Sequence, residues 1–231
     1  MSQLTRIGEE EKTWYPWPIS GLESILIKVL NTNNNYEHVY ALRKNIAYNL
    51  QYLQFQNQII QDIKLSSVLY TQTIKSFVLV GCSIIESLLH FILIARGFHT
   101  TTEWQEKITF KGNQKNLDGE TVMVDTVIYK KLEKEQLKHM SFDAMIKCAK
   151  SKSVFGSNEA IYLKLASLRS LRNKVHLQVI NDPSDTDWNT FTSKDLSDIS
   201  KVLYAIFTSS LFSLEKDEER YFNYLTRNFV A

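Results

Sequence analysis

Only two cysteines, three prolines and seven glycines are spread over 231 residues, and each scarcity removes a class of protein. Cys82 and Cys148 lie inside apolar-periodic segments rather than at a repeated loop spacing. Neither a disulfide scaffold nor a zinc framework is expected, and both read as reduced, partly buried thiols. With so few chain breakers, apolar residues recurring at helical spacing predict a mainly α-helical protein. Charge of one sign is lacking too. A formal net charge of +2 supplies no global basic field of the kind a non-specific nucleic-acid binder carries, so any nucleic-acid contact has to be local.

Uninterrupted apolar runs are also missing. The longest, around Phe77 to Ala95, is broken by Ser83, Glu86, Ser87 and His90, which reads as a buried helix rather than a membrane span. The opening Met1-Ser2-Gln3-Leu4-Thr5-Arg6 and its continuation through Glu9, Glu10, Glu11 and Lys12 are too polar for a signal peptide. A cytoplasmic protein with no membrane partner is the expectation. No glycine-rich phosphate loop, Ser/His/Asp arrangement or internal repeat stands out.

What is present is 44% apolar residues, ample for a core, organised as a succession of helices. A short helix over about 22–30 follows the Trp14-Tyr15-Pro16-Trp17-Pro18 segment, whose aromatics are expected to cap the fold, and ends in an asparagine-rich turn at 31–35. Long helices over about 36–64 and 67–96 should pair antiparallel, the second closed by Gly97 as a C-cap. Alternating residues at 107–111 and 121–127 around Asn116-Leu117-Asp118-Gly119 predict a β-hairpin inserted over about 106–129 and leaning on the helices. The mixed-charge run Lys130–Lys138 reads as a solvated helix face, with weak RNA-backbone contact as its functional alternative. Helices follow over about 142–150, 158–179, 194–214 and 217–227, interrupted near Gly156 and at Asn181-Asp182-Pro183-Ser184-Asp185. All of them can share one core.

The chemistry concentrates in Leu168-Arg169-Ser170-Leu171-Arg172-Asn173-Lys174-Val175-His176-Leu177. At about 100° per residue with Arg169 at zero, Arg172 falls near 300°, Asn173 near 40° and His176 near 340°, one polar stripe. Ile161, Leu168, Leu171, Val175 and Val179 occupy about 200–280° on the same wheel, so Arg172 and His176 border the core-facing side. A permanent charge there calls for a carboxylate, a second subunit's groove or a bound anion such as phosphate. Four residues apart on one helix face, Glu86 and His90 can form a local charge pair or place an acid near the stripe. His38, His99 and His139 are scattered, so no metal site is expected. Trp14, Trp17, Trp104 and Trp188 read as packing anchors rather than base-stacking platforms.

Two segments resemble the HEPN superfamily, small helical domains of toxins, phage-defence systems and RNA-processing proteins. Ser76–Leu89, carrying Glu86, looks like that family's early core helix with a glutamate in its middle. Leu165–His176 looks like its signature, an arginine followed after four to six residues by a histidine. Arg169 precedes His176 by six intervening residues and fits the spacing, whereas Arg172-Asn173 looks more like the family's Arg-polar pair but has three. Both arginines remain candidates.

The resemblance covers about residues 36–214. It implies a mainly α antiparallel helical bundle; the expectation is then a single domain over 1–231 with an N-terminal extension over 1–35, the β-hairpin as an insertion outside the family's minimal core, and a C-terminal helix over 215–231. It also implies metal-independent RNA cleavage without a cofactor, in which a 2′-hydroxyl attacks the adjacent phosphate. Histidine titrates near neutrality and can exchange protons with that hydroxyl or the leaving oxygen, and an arginine can offset charge on the phosphoryl oxygens. Arg172 and His176 are then the main catalytic pair, Arg169 a phosphate-binding or alternative catalytic arginine, and Asn173 an orienting residue. Glu86 is a supporting candidate behind them. In the family two copies of the motif commonly meet across a homodimer cleft. The competing readings are a polar helix face bonded to Glu86, a nucleotide-binding domain, and a non-catalytic module of the same fold partnering a nucleotidyltransferase antitoxin or a defence complex.

Overall fold

The computed structural model describes residues 5–6, 14–31, 36–177 and 182–229; most of the asparagine-rich turn at 31–35, residues 178–179 of the expected 158–179 helix and the first residue of the 181–185 break lie outside them. The chain is mainly helical, 55% helix and 15% strand, and divides into two compact units. One comprises Met1–Gly97 with Ser141–Ala231, the other Phe98–Met140.

The first unit is built around one long helix. α1 (Ile19–Leu26) starts directly after Pro18, earlier than its apolar pattern indicates, because proline suits the entry to a helix; it buries Leu22, Ile25 and Leu26. α2 (Val39–Asp62) and α3 (Ser67–Ala95) are joined through β2 (Ile63–Lys64), which pairs antiparallel with β1 (Thr5–Arg6). That short connection folds α3 back onto α2.

α2, α4 (Phe142–Ser151), α5 (Glu159–Asn173), the short α6 (Asp187–Thr190) and α7 (Ser193–Phe207) all pack against α3. Phe77, Val78, Cys82, Ile85, Leu88 and Leu89 of α3 are fully buried, each large side chain contributing about 1.5–3 kcal/mol by leaving water. α3 is the one helix among the described residues long and apolar enough to cross a membrane, and 61% of its apolar window is buried within the fold. Gly81 lets α7 come close: a Cβ there would stand 2.6 Å from Ile199 Cγ1. Gly97 ends the helix at φ +68°, as a C-cap glycine should.

Three boundaries depart from the sequence pattern. α7 starts in a capping box, Thr192 with Asp195, and stops at Phe207 rather than Leu214. There Thr208 and Ser209 turn their hydroxyls back onto the carbonyls of Tyr204 and Ile206, a local alternative to further helix. The expected C-terminal α-helix over 215–231 is replaced, in its described part, by 3-10 turns at Glu219–Tyr221 and Asn223–Asn228. Phe222, Leu225 and Asn228 are the buried positions, and their spacing of three matches the 3-10 repeat, not the α repeat. α5 ends at Asn173, and the consequences for the Arg/His stripe are set out below.

Trp17 lies 4.6 Å from the Tyr221 ring, with the Arg220 guanidinium 5.3 Å over its own ring. That aromatic does cap the C-terminal turns. Trp104 and Trp188 are half exposed and anchor nothing comparable.

The second unit is a two-tier antiparallel ribbon. β3 (Thr101–Phe110) pairs with β6 (Thr126–Leu137), and β4 (Gln114–Leu117) with β5 (Glu120–Met123). Asp118 and Gly119 turn the tip at φ +50° and +84°, the positive pair demanded by a tight hairpin. The ribbon exceeds the expected 106–129, and Lys130–Lys138, expected as a helix face, belongs mostly to β6. Cross-strand pairing with Thr101, Thr102, Trp104 and Gln105 overrides the weak helical bias of its lysines and glutamates.

Candidate functional site

Three elements deliver the polar stripe. α3 supplies Glu86, α5 supplies Arg169, Arg172 and Asn173, and the turn after α5 supplies Lys174 and His176. Burial of Ile161, Tyr162, Leu165 and Leu168 seats α5 on the core and fixes which way its arginines leave.

The two arginines diverge. Arg172 Nη2 donates to Glu86 Oε2 at 2.8 Å, with 40% of the arginine side chain and 24% of the glutamate exposed. Arg169 turns instead towards α4, its Nε 3.4 Å from Asp143 Oδ1 but buried without a hydrogen-bond partner. The 60° between them on the helix wheel is enough to send one to α3 and the other to α4. Lys147 donates to Asp143 and, together with the nearby Arg169 charge, outweighs the opposing effect of burial and holds that carboxyl below its usual value. The bland reading of the stripe is thereby met in part: Glu86 reaches across to Arg172, while His90 packs edge-on to Tyr36 at 6.1 Å.

His176 does not share a helix with Arg172. Beyond Asn173 the backbone tightens, Lys174 N bonding to Leu171 O at 3.0 Å and Val175 N to Arg172 O at 3.2 Å. These are 3-10 bonds that close the last turn. Lys174 then reaches Asp185 Oδ1 at 2.7 Å, drawing the chain off the helix axis. The 340° position expected for His176 is therefore lost, and Val175, expected in the core, is 43% exposed. Asn173 is exposed at the last helical position.

His176 instead lines a hollow of about 150 Å3 with Lys174, Leu177, Asp185, Asp187 and Thr190. Its far wall is α6 (Asp187–Thr190), started by Thr186, whose hydroxyl accepts from Asn189 N. Asp187 is pinned to α3, accepting from Lys75 Nζ at 2.9 Å through both oxygens and from Gln72 at 2.8 Å. Burial pushes the Asp187 carboxyl up, but the bonds from Gln72 and Lys75 together with the Lys75 charge outweigh it and hold the group below its usual value. Lys75 also lies 5.7 Å over the Phe191 ring.

These partners escaped the sequence reading. Asn181–Asp185 reads only as a loop, and Lys75 is not singled out by the sequence. The signal that was there is Thr186-Asp187, a helix N-cap followed by an acidic first residue.

Beneath the Glu86–Arg172 pair lies Cys82, fully buried, its Sγ 3.7 Å from the Leu168 carbonyl it donates to. Burial pushes its thiol up to about 12, with Arg172 pulling the other way and Glu86 reinforcing the rise. It is a core thiol, buried more deeply than the partly buried state expected, and Cys148 is a half-buried thiol outside any disulfide. Among the described residues no group of three or more histidine, cysteine or acidic side chains could hold a metal ion.

The arrangement offers an arginine braced by a carboxylate, an exposed amide beside it, and an imidazole on the rim of a polar hollow. No protein-family model, curated protein or solved structure matches this chain.

Proposed function

We propose that this chain is a metal-independent endoribonuclease of HEPN type, with Arg172 and His176 as its reacting pair. The observation that carries the proposal is the end of α5 between them: Arg172 is held by Glu86 at 2.8 Å, while His176 stands exposed in the turn immediately beyond. In such a site the 2′-oxygen bonds to phosphorus as the P–O5′ bond breaks, giving a cyclic phosphate and a 5′-hydroxyl. An imidazole takes the 2′ proton or supplies one to the leaving oxygen. The braced guanidinium neutralises charge on the non-bridging oxygens, and costs little to organise because Glu86 already fixes it. Asn173 lies next to it for orientation, and Arg169, turned to Asp143, serves at most as an outer phosphate contact. A second copy of the chain brings a second Arg/His pair to the same cleft.

One observation favours a second reading. Glu86 already satisfies Arg172, which suits a scaffold of the same fold that binds an antitoxin or a defence-complex partner and does no chemistry.

Wild type, His176→Ala and Arg172→Ala, each shown to be folded, are incubated with total RNA and tRNA in excess EDTA. Cleavage by the wild type alone, leaving cyclic phosphate ends, is the expected result. Intact RNA with all three proteins moves the assignment to the scaffold.

A further inference from the structure

α2 carries an exposed aromatic band. Tyr40, Tyr48, Tyr52 and Phe55 are 61%, 51%, 45% and 47% exposed, and at about 100° per residue they fall within about 120° of one another, together with Lys44 and Asp62. Apart from Arg43, Lys44 and Asp62 the 24 residues of this helix carry no charge, and eight of them are asparagine or glutamine. Rich in aromatics and poor in charge is the composition of a protein interface. We propose that the band is a homodimer interface, in which α2 packs antiparallel against the α2 of a second copy of this chain.

Charge selects a second copy as the occupant. Lys44 stands near one end of the band and Asp62 at the other, about 27 Å apart at about 1.5 Å per residue. A two-fold axis passing between Tyr52 and Phe55, in the middle of that interval, sets each Lys44 against the partner's Asp62. Glu23 is one carboxylate shared by two cations, 2.7 Å from Lys44 and 3.9 Å from Arg43, so that end keeps a positive charge for the acid to meet. Antiparallel pairing also lays opposed helix dipoles side by side. A parallel pair would set cation on cation. RNA fits the band less well: its two cations already share Glu23 and the Tyr40 ring, and one surplus charge makes no basic track beside the aromatics.

Area agrees with a stable pair. A large aromatic side chain buries about 150–250 Å2, so these exposures leave roughly 400 Å2 of aromatic surface on each copy, half of the roughly 800 Å2 that one partner brings to a standard interface. The amides between the rings extend it. Val68 and Leu69, exposed where α3 begins just beyond Asp62, add apolar surface at that end. Tyr52 and Phe55 already stack on each other at 6.2 Å, a preformed aromatic pair at the axis. The band is distinct from the Arg/His site, since α2 packs on α1 and α3 whereas α5 packs on α3, α4 and α7. The interface therefore does not rest on the ribonuclease reading, and copies joined at both surfaces would form a tetramer.

Sedimentation velocity from about 1 to 100 μM follows the mass of wild type, Tyr48→Lys, Tyr52→Lys, Asp62→Lys and Arg172→Ala, each checked for helix content by circular dichroism. Wild type is expected to reach a dimer in this range, or a tetramer where the Arg/His cleft pairs too. Tyr48→Lys and Tyr52→Lys should each halve that mass, weakening self-association roughly tenfold or more, because two-fold pairing counts every change twice. Asp62→Lys sets a cation against the partner's Lys44 and should weaken it about fivefold; this exposed position decides the matter even where a tyrosine variant misfolds. A wild type that stays monomeric overturns the proposal. So does a mass lowered by Arg172→Ala and left unchanged by the α2 variants, which places the contact at α5. Unchanged mass with weakened binding of an oligouridine by Tyr52→Lys assigns the band to RNA and overturns the interface as well.

Discussion

Glu86 and Arg172 meet at 2.8 Å although they are 86 positions apart in the chain, and their contact joins α3 to α5 directly above the buried Cys82 thiol. It is at once the tie that orients the guanidinium and a structural pair between two core helices. Those two roles separate by experiment.

Glu86→Gln preserves the shape of the side chain and removes its charge. Since 40% of Arg172 is exposed, solvent screens the pair, and a double-mutant cycle with Arg172→Gln in urea should return a coupling of about 1 kcal/mol or less. RNA cleavage by Glu86→Gln should drop by more than that stability loss explains. A fully active Glu86→Gln would show that Arg172 needs no brace.

Gly81→Ala tests the α3–α7 contact. A helix interior ordinarily gains about 1 kcal/mol from this exchange, but the new methyl meets Ile199 at 2.6 Å and Leu203 at 3.2 Å. Overpacking costs about 1–3 kcal/mol, so the melting temperature should fall, not rise. A rise would mean that α7 stands further off.

Lys75→Met removes the anchor of α6. With 10% of Lys75 and 25% of Asp187 exposed, the loss should be about 2 kcal/mol at pH 7, between the surface and fully buried cases. The Asp187 carboxyl is held below its usual value, so its contribution is full above the ordinary carboxylate range and fades as pH falls through its lowered folded value. Denaturation of wild type and variant should therefore differ at pH 7 and converge only once the pH has fallen below the ordinary carboxylate range. A gap that persists at low pH would assign the effect to lost packing against Phe191 instead.

Thiol labelling distinguishes the cysteines. Cys82 is fully buried with its thiol raised to about 12, so at pH 8 a maleimide or iodoacetamide should label Cys148 in the native protein and reach Cys82 only after denaturant is added. Peptide mass spectrometry reads this directly. Early labelling of Cys82 would indicate that the α3–α5 contact opens.

The helices of the first unit were legible because their signals are local. Periodic apolar residues, a C-cap at Gly97 and the break at Gly156 each depend on residues within a few positions of one another, as does the Asp118-Gly119 turn of the second unit. Boundaries were less legible wherever two local preferences compete. Val175 extends the apolar period of α5, while Asn173 and the pull of Asp185 on Lys174 end it. Lys130–Lys138 has the composition of a surface helix and the pairing of a strand.

For the candidate site, residue types and sequence alone determined that one short segment concentrates arginine, asparagine and histidine, and that a permanent charge at the core border needs a partner. Tertiary structure decided which partner. Arg172 found Glu86 and Arg169 found Asp143 because burial of Leu165 and Leu168 sets the rotation of α5, and rotation is a property of packing. The hollow around His176 depends on Asp185, paired with Lys174, and on Asp187 of α6, paired with Lys75 and Gln72 of α3. Charge pairs between segments far apart in sequence leave no period to read; their partners are chosen by the fold, which brings them within range of the Coulomb force.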